Sequence, residues 1–485
     1  MILWRVVRTE LTRLGRSGTF TVLGLLLTAL VATSGLVAWR AERAYEAQRR
    51  RYASTVDEQW AAQPDRHPHR VSHYGYLLFR PRSPLSVFDP GVSAHTGSTL
   101  FLEAHRQNSM NFAEAAQGDS PLRFGSLSMA VVLQLLVPLV LFVAAAGAVA
   151  REREEGTLAL VRSLGVSWPV WLGGKTLALV AATLAIVLPG VLVVAAGLAL
   201  SGAGGWTADA WARTAALAGA HVVYFAACAA LGVVVSALCR TSRDATLVLV
   251  GLWLVLWVLV PRIVPAAASA AHDLPTRAAF EAEVERRTRA LGDSHNPADE
   301  KFAAFRADQL AKAGVTRVED LPINYNGMQM IEGERLTTEA YRGMRDTLAA
   351  VRRAHERAAT GAAIVAPYLA MRLVSMALAG ADVAYVDDFE RQAEDYRYTL
   401  VQHLNTLHTE EVALAEDRYT AASGSEAPTR KRIEAEHWRE TPVFAYRPLP
   451  LGGSLRAAGA ACAVLALWGA GVMLVLWRIR PEVSA

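Results

Sequence analysis

The chain has 485 residues, of which 53% are apolar and 19% charged, and a formal net charge of +4. Charges and apolar residues are segregated: long charge-free runs alternate with stretches as polar as a soluble domain, which marks a membrane protein and excludes an ordinary soluble enzyme. The basic residues sit at helix ends rather than in one patch, so no nucleic-acid partner is expected, and Cys228, Cys239 and Cys462 all lie in apolar runs, which leaves the polar segments without disulfides.

Residues 1–19 place Leu3, Trp4, Val7, Leu11 and Leu14 on one helical face, with Arg5, Arg8, Thr12 and Arg16 largely opposite. That pattern predicts a helix lying on the inner membrane surface. The apolar run that follows is too long for a signal peptide and lacks a small-residue cleavage site, so it reads as an uncleaved anchor. A crossing takes about 20 apolar residues. Six runs qualify: 20–39, 127–150, three within 176–265, and one within 455–478. The expected fold is therefore an all-α polytopic membrane protein. It has about six transmembrane helices and two extracytoplasmic insertions, the second a mostly helical domain.

Orientation follows from the basic residues near helix ends. Arg5, Arg8, Arg13 and Arg16, then Arg151, Arg153, Arg162 and Lys175, then Arg240 and Arg243, and finally Arg478 and Arg480 fall on one side when there are six spans. That side is assigned to the cytoplasm, with both termini on it, in a bacterial inner membrane. Arg40, Arg43, Arg49, Arg50 and Arg51 disagree, but they open a long loop, where the rule is weaker. Gly361 to Gly380 is apolar enough to be a further span. Pro367 and Arg372 near its middle argue against this, since a central Arg costs roughly 2.5–3.5 kcal/mol. It is read as a buried or interfacial helix of the second insertion. Trp39, Trp253, Trp257 and Trp477 suit interfacial anchoring, with helix packing the alternative for Trp253 and Trp257.

The first insertion, 40–126, starts as a charged helical continuation and turns irregular around Pro81, Pro84, Pro90 and Gly91. The second, 266–454, carries amphipathic helices over Glu281 to Leu291, Glu334 to Ala359 and Phe389 to Asp417, with a turn at Leu321 to Gly327.

Enzyme chemistry is not expected. Gly173 to Thr176 reads GGKT, like the end of a phosphate loop, but the earlier glycine such a loop needs is Pro169, which has no N–H to offer a phosphate. The chain thus has no ATP site and no cofactor of its own. His67, His69 and His73 could chelate a metal, but no spacing is as specific as HExxH, so hydrogen-bonded loop histidines are preferred. Glu103, His105 and Asn108 likewise read as a hydrogen-bonded turn, and His221, inside a span, as a structural histidine.

The linker 151–175 is the most informative. Acidic residues open it, Gly156 breaks the helix leaving the membrane, and Thr157 can cap a second short helix. Leu158, Leu160, Val161 and Leu164 give that helix an apolar face suited to a partner's groove. The stretch Glu152-Arg-Glu154-Glu155-Gly156-Thr157-Leu158 resembles the ExExGTL motif of ABC-2 type permeases, where it leads into the helix that touches the ATPase. The order of the basic helix, two spans, coupling segment and further spans is similar too. The large insertions resemble the NosY-like branch that carries a domain of unknown function. Matching stretches include His73-Tyr-Gly75, Ser83-Pro-Leu85, Asp89-Pro90-Gly91, Glu103-Ala-His105-Arg-Gln107-Asn108, Asn324-Tyr-Asn-Gly327 and Ala379-Gly-Ala-Asp382.

The resemblance implies coupling residues Glu152, Glu154, Gly156, Thr157, Leu158, Leu160 and Leu164. It implies an extracytoplasmic functional motif of His73, Asp89, Pro90, Gly91, Glu103, His105, Gln107 and Asn108. The implied partners are a separate ABC ATPase carrying ATP and Mg, a second permease copy (homodimer or related paralogue), the lipid bilayer and a periplasmic partner protein. The alternative is a membrane-anchored extracytoplasmic binding or signalling protein without transport.

Overall fold

The computed structural model describes residues 2–114, 127–200, 207–417 and 431–481. The end of the first insertion, the first half of the 201–213 loop and the last residues of the tail lie outside these. Helices dominate. α1 (Ile2–Arg16) is followed by α2 (Gly18–Ala61), whose 44 residues make the predicted anchor and its charged continuation one helix. After α3 (Pro68–Ser72) comes a small antiparallel sheet of β1 (Tyr76–Phe79), β2 (Thr99–Glu103) and β3 (Arg106–Gln107), with Tyr76 opposite Leu102. The sheet was not anticipated, because its strands are too short to show an alternating pattern.

The next spanning helix, α4, covers 129–146, with a π-helical turn over Val132–Leu136. Pro138 has no N–H to offer the Gln134 carbonyl, and the Tyr224 hydroxyl donates to it instead at 2.7 Å. Two short helices, α5 (Ala150–Glu154) and α6 (Thr157–Ser163), lead into α7 (Trp168–Leu200), α8 (Ala208–Leu238) and α9 (Ser242–Ala271). Trp253 donates to the Leu135 carbonyl at 2.9 Å and buried Trp257 donates to Tyr224, so both serve packing, whereas Trp477 is exposed. The second insertion carries α10 (Arg277–Ala290), α11 (Ala303–Ala313), α12 (Tyr325–Ala363), α13 (Pro367–Ala379) and α14 (Val383–Glu411). The chain then returns through α15 (Leu451–Ala457) to α16 (Gly459–Arg478). Only Leu321 to Asn324 of the expected turn lies outside helix: Asn324 caps α12, and Tyr325 is its first residue.

The two insertions fold as one body at one end of the bundle. Their shared core joins Trp60, Val71, Tyr76 and Leu102 from the first to Phe389, Leu404, Ile433 and Trp438 from the second. Trp60 Nε1 donates to the Trp438 carbonyl at 2.9 Å, and Arg66 bridges to Ile433. The 147–167 segment lies at the other end.

Among the described residues, seven helical stretches are long and apolar enough to cross a membrane, 367–411 being the one beyond the six expected. That stretch is not straight. α13 has 13 residues, about 20 Å of rise, and stops at Gly380, whose φ of +64 is left-handed. On its other side, residues 364–366 turn the chain out of α12. Gly361 to Gly380, read above as one helix, is thus the end of α12, a turn and α13. These form a hairpin packed among α8 and α16. Its tip reaches the middle of α16, where Trp468 Nε1 donates to the Ala363 and Ile364 carbonyls at 3.2 and 3.0 Å.

Arg372 sits on this hairpin, and its charge is met by Asp89 of the first insertion. Arg372 Nη1 lies 2.5 and 2.6 Å from the two Asp89 oxygens, and Ser375 Oγ donates to the same carboxylate at 2.5 Å. Asp89 is fully buried. Gly91, at φ +52, brings the Val92 N–H to the Ala381 carbonyl at 2.9 Å; a Cβ there would stand 2.0 Å from that oxygen. Arg213 of α8 closes the seat, donating to the Ala377, Leu378 and Leu449 carbonyls and to Ser454.

Breaking a buried pair by neutralising one partner costs about 3–5 kcal/mol, because the other charge stays buried and unpaired. Asp89→Asn should therefore lower the thermal stability of the detergent-purified protein strongly. Arg372→Met added to it should cost much less than the two single changes summed. Additive losses across this cycle would show that the pair is not coupled.

Candidate functional site

The segment linking α4 to α7 is fixed by three consecutive side chains, each to a different helix. Glu152 Oε1 lies 2.5 Å from Lys175 Nζ of α7, and Lys175 also reaches Glu10 Oε2 of α1 at 3.1 Å. Lys175 and Glu10 are almost fully buried, and the Lys175 ammonium stands 4.7 Å from the centre of the Trp171 ring. Arg153 donates to the Ala237 carbonyl at 2.8 Å and to the Cys239 carbonyl, at the C-terminal end of α8. Glu154 accepts from the Ser242 N–H at 3.1 Å and its hydroxyl at 2.8 Å, at the N-terminal end of α9. Arg153 and Glu154 each carry the sign that the helix end they meet favours. Ser236 completes the joint, its hydroxyl donating to the Ala146 carbonyl and accepting from the Val149 and Ala150 N–H groups.

Gly156 then turns the chain at φ +73, a conformation that disfavours a Cβ. Gly156, not Thr157, holds the N-cap position of α6: the Thr157 hydroxyl donates back to the Glu152 carbonyl at 3.1 Å. Leu158 is buried against the bundle and Val161 packs beside it, while Leu160 and Leu164 are 63% and 72% exposed. The predicted apolar face is therefore split. Half of it fastens α6 to the bundle, and half faces away from it.

The other predicted residues collect at two places in the insertion body. Asp89, Pro90 and Gly91 form the hairpin seat. His73, Glu103, His105, Gln107 and Asn108 surround the β2–β3 turn. Asn108 donates to Glu103 Oε1 at 2.9 Å and to the Phe101 carbonyl, and Gln107 donates to Glu394 Oε1 at 2.5 Å. Beneath them Arg397 pairs with Glu334 at 2.6 Å and Glu394 at 2.7 Å, all three buried. Burial works against the Glu334 charge, yet the His105 hydrogen bond and the Arg397 charge hold its carboxyl down at about 2.

The histidines divide differently from their sequence order. His67 Nδ1 accepts from the His69 N–H at 3.2 Å, and its Nε2 faces Asp417 Oδ1 at 3.2 Å. Asp417 also takes His408, Asn324 and Asn326 at 2.6, 3.1 and 3.0 Å. His67 thus belongs to a buried hydrogen-bond network, apart from His69 and His73. Those two, four residues apart across one turn, are joined by His105 and His295, with all four donor atoms within 4.8 Å of one another. Burial and the neighbouring imidazoles push His69 well down and His73 down to about 4, so both are neutral at pH 7. His221 Nδ1 donates to the Leu217 carbonyl within α8 at 2.8 Å, and its ring packs edge-on against Phe88.

The sequence reading assigned no site role to Glu10, Lys175, Arg213, Glu334, Glu394 or His295, whereas Tyr396-Arg397 is among the stretches that resemble the family. Lys175 and Arg213, charges at the ends of apolar runs, carried a usable signal. His295 carried none, because its partners lie about 190 or more residues away in the chain.

A model of the ABC-2 family transporter proteins matches residues 4–288, and one of a domain of unknown function, DUF3526, matches residues 277–447. The first match covers more than half of the chain, which therefore belongs to the ABC-2 family of transporter membrane proteins. Membership implies a membrane and an ABC ATPase partner. No curated protein matches the chain.

Lys175→Met should destabilise the joint between α1, α5 and α7 by about 3 kcal/mol or more, since Glu10 and Glu152 would face each other without a cation. A melting temperature equal to that of the unsubstituted protein would refute this reading of the triad.

Proposed function

We propose that this chain is the membrane-spanning permease subunit of an ABC-2 type transporter of the NosY-like branch. In this reading it couples ATP hydrolysis by a separate ATPase subunit, which binds ATP and Mg, to export or to mechanical work on a client outside the membrane. The single observation that carries the reading is the clamp of Glu152, Arg153 and Glu154 on three helices, combined with the outward Leu160 on α6 and Leu164 at its C-terminal cap. A push on that exposed face passes into α7, α8 and α9 through the clamp, from which α6 is separated only by the turn at Glu155 and Gly156. The partner ATPase docks there, on the cytoplasmic side of a bacterial inner membrane, and both termini lie on that side. A second permease copy, identical or paralogous, completes the unit. The insertion body is extracytoplasmic and engages the client or a periplasmic protein. A membrane-anchored binding or signalling protein would leave the clamp and the outward leucines without a role.

The paired change Leu160→Asp/Leu164→Asp tests the docking face without touching the buried Leu158. Permease-dependent ATP hydrolysis by the reconstituted complex should fall roughly tenfold or more, as on loss of an interface hot spot, with the permease's own melting temperature unchanged. Hydrolysis at the level of the unsubstituted complex would overturn the assignment. For sidedness, Arg391→Cys should react with a membrane-impermeant maleimide from outside intact cells, and Ser163→Cys only after the membrane is opened. Reaction of Ser163→Cys in intact cells would invert the orientation.

A further inference from the structure

We propose that His69, His73, His105 and His295 form a binding site for a borderline divalent transition-metal ion of the zinc or copper(II) class, joining the two insertions.

Three observations carry this. The first is spacing. His69 Nε2 and His73 Nε2 lie 3.1 Å apart, and one nitrogen from each of the four rings falls within 4.8 Å of the other three. Nitrogens bound at 2.0–2.1 Å around a tetrahedral ion are about 3.3–3.4 Å apart, so a small inward movement of the outer rings completes the shell. The second is unsatisfied polarity. His105 Nε2 and His69 Nδ1 are buried with no hydrogen-bond partner among the described residues. A buried ring nitrogen left alone is costly, and a metal at the centre of the cluster would relieve it for His105.

The third is the support around the cluster. His105 has a left-handed backbone, φ +61, which few residues other than glycine adopt. That conformation is held by its own N–H donating to Glu334 Oε2 at 2.9 Å, and its Nδ1 lies 3.4 Å from the same carboxylate. Glu334, itself fully buried, is fixed by Arg397. A carboxylate behind a ligating imidazole orients the ring and fixes its tautomer, the usual second layer of a histidine metal site. The four donors are all imidazoles, with no thiolate or carboxylate among them, which selects a borderline ion over Mg or Ca. The His295 side chain is 46% exposed, so an ion has a way in. Three ligands come from the first insertion and His295 from the second, so the bound ion would clip one to the other.

The test uses the full chain purified in detergent and stripped with a chelator, then dialysed against micromolar Zn2+ and, separately, Cu2+. The unsubstituted protein should retain about one ion per chain after removal of excess, and Zn2+ should raise its melting temperature. The copper form should show nitrogen hyperfine splitting in its electron paramagnetic resonance spectrum. His73→Ala/His295→Ala changes the two more exposed ligands, so the stripped protein should melt as before, yet affinity should drop at least roughly tenfold and the Zn2+-induced shift vanish. His403→Ala, outside the cluster, should behave as the unsubstituted chain. Equal stoichiometry and affinity in the double variant, or no uptake by the unsubstituted protein, would overturn the proposal and leave a hydrogen-bonded histidine network.

Discussion

An arginine cannot be left without a counter-charge among spanning helices, and this fold is arranged around meeting that constraint. Arg372 enters the bundle on a hairpin, and Asp89 follows it in from a segment nearly three hundred residues away. The pair meets where the hairpin sits between α8 and α16, so the buried charge of each is offset by the other. The close backbone approach at Gly91 and the carbonyl contacts of Arg213 then become possible. The insertion body is thereby seated in the bundle, not tethered above it by two loops.

The same logic appears at the other end, where Lys175 sits between two glutamates and Arg153 and Glu154 close on the ends of α8 and α9. Arg213 and Arg153 therefore grip opposite ends of α8, whose 31 residues extend about 46 Å. A rigid helix held at both ends by charge-assisted bonds can carry displacement from one side of the bundle to the other. The π-helical turns in α4 and α9 lie beside it, with Tyr224, Trp253 and Trp257 satisfying the carbonyls they free or spanning the gap. Such local loosening is a common place for helices to rearrange.

Within the insertion body, polar groups are buried in three adjoining sets: Glu334, Glu394 and Arg397; His67, His408 and Asp417; and the four-histidine cluster. Burying this much polarity is unfavourable unless each group is paired; Arg397 pairs with both carboxylates of the first set, and Asp417 of the second takes His408, Asn324 and Asn326. The third leaves His105 Nε2 and His69 Nδ1 without a hydrogen-bond partner among the described residues, and it differs from its neighbours in that four imidazoles converge with no carboxylate among the donors.

The spanning helices were legible from the amino-acid sequence because the hydrocarbon core imposes one simple condition, length and apolarity, that acts locally along the chain. The anchor, the runs leading to α16 and the break at Gly156 were visible for this reason, and the ExExGTL stretch pointed to a family that the family comparison then supported. Other features depended on contacts between distant segments, which no local pattern encodes. Arg372 looked like a reason to keep its segment away from the spanning helices, because its counter-ion lies far off at Asp89. Leu158, Leu160 and Leu164 looked like one face, but only packing decides that Leu158 is buried and the other two turn outward. His67, His69 and His73 looked like one cluster. Tertiary structure sends His67 to Asp417 and brings His105 and His295 to the others, since side-chain direction depends on the backbone of α3 and on the strained turn at His105.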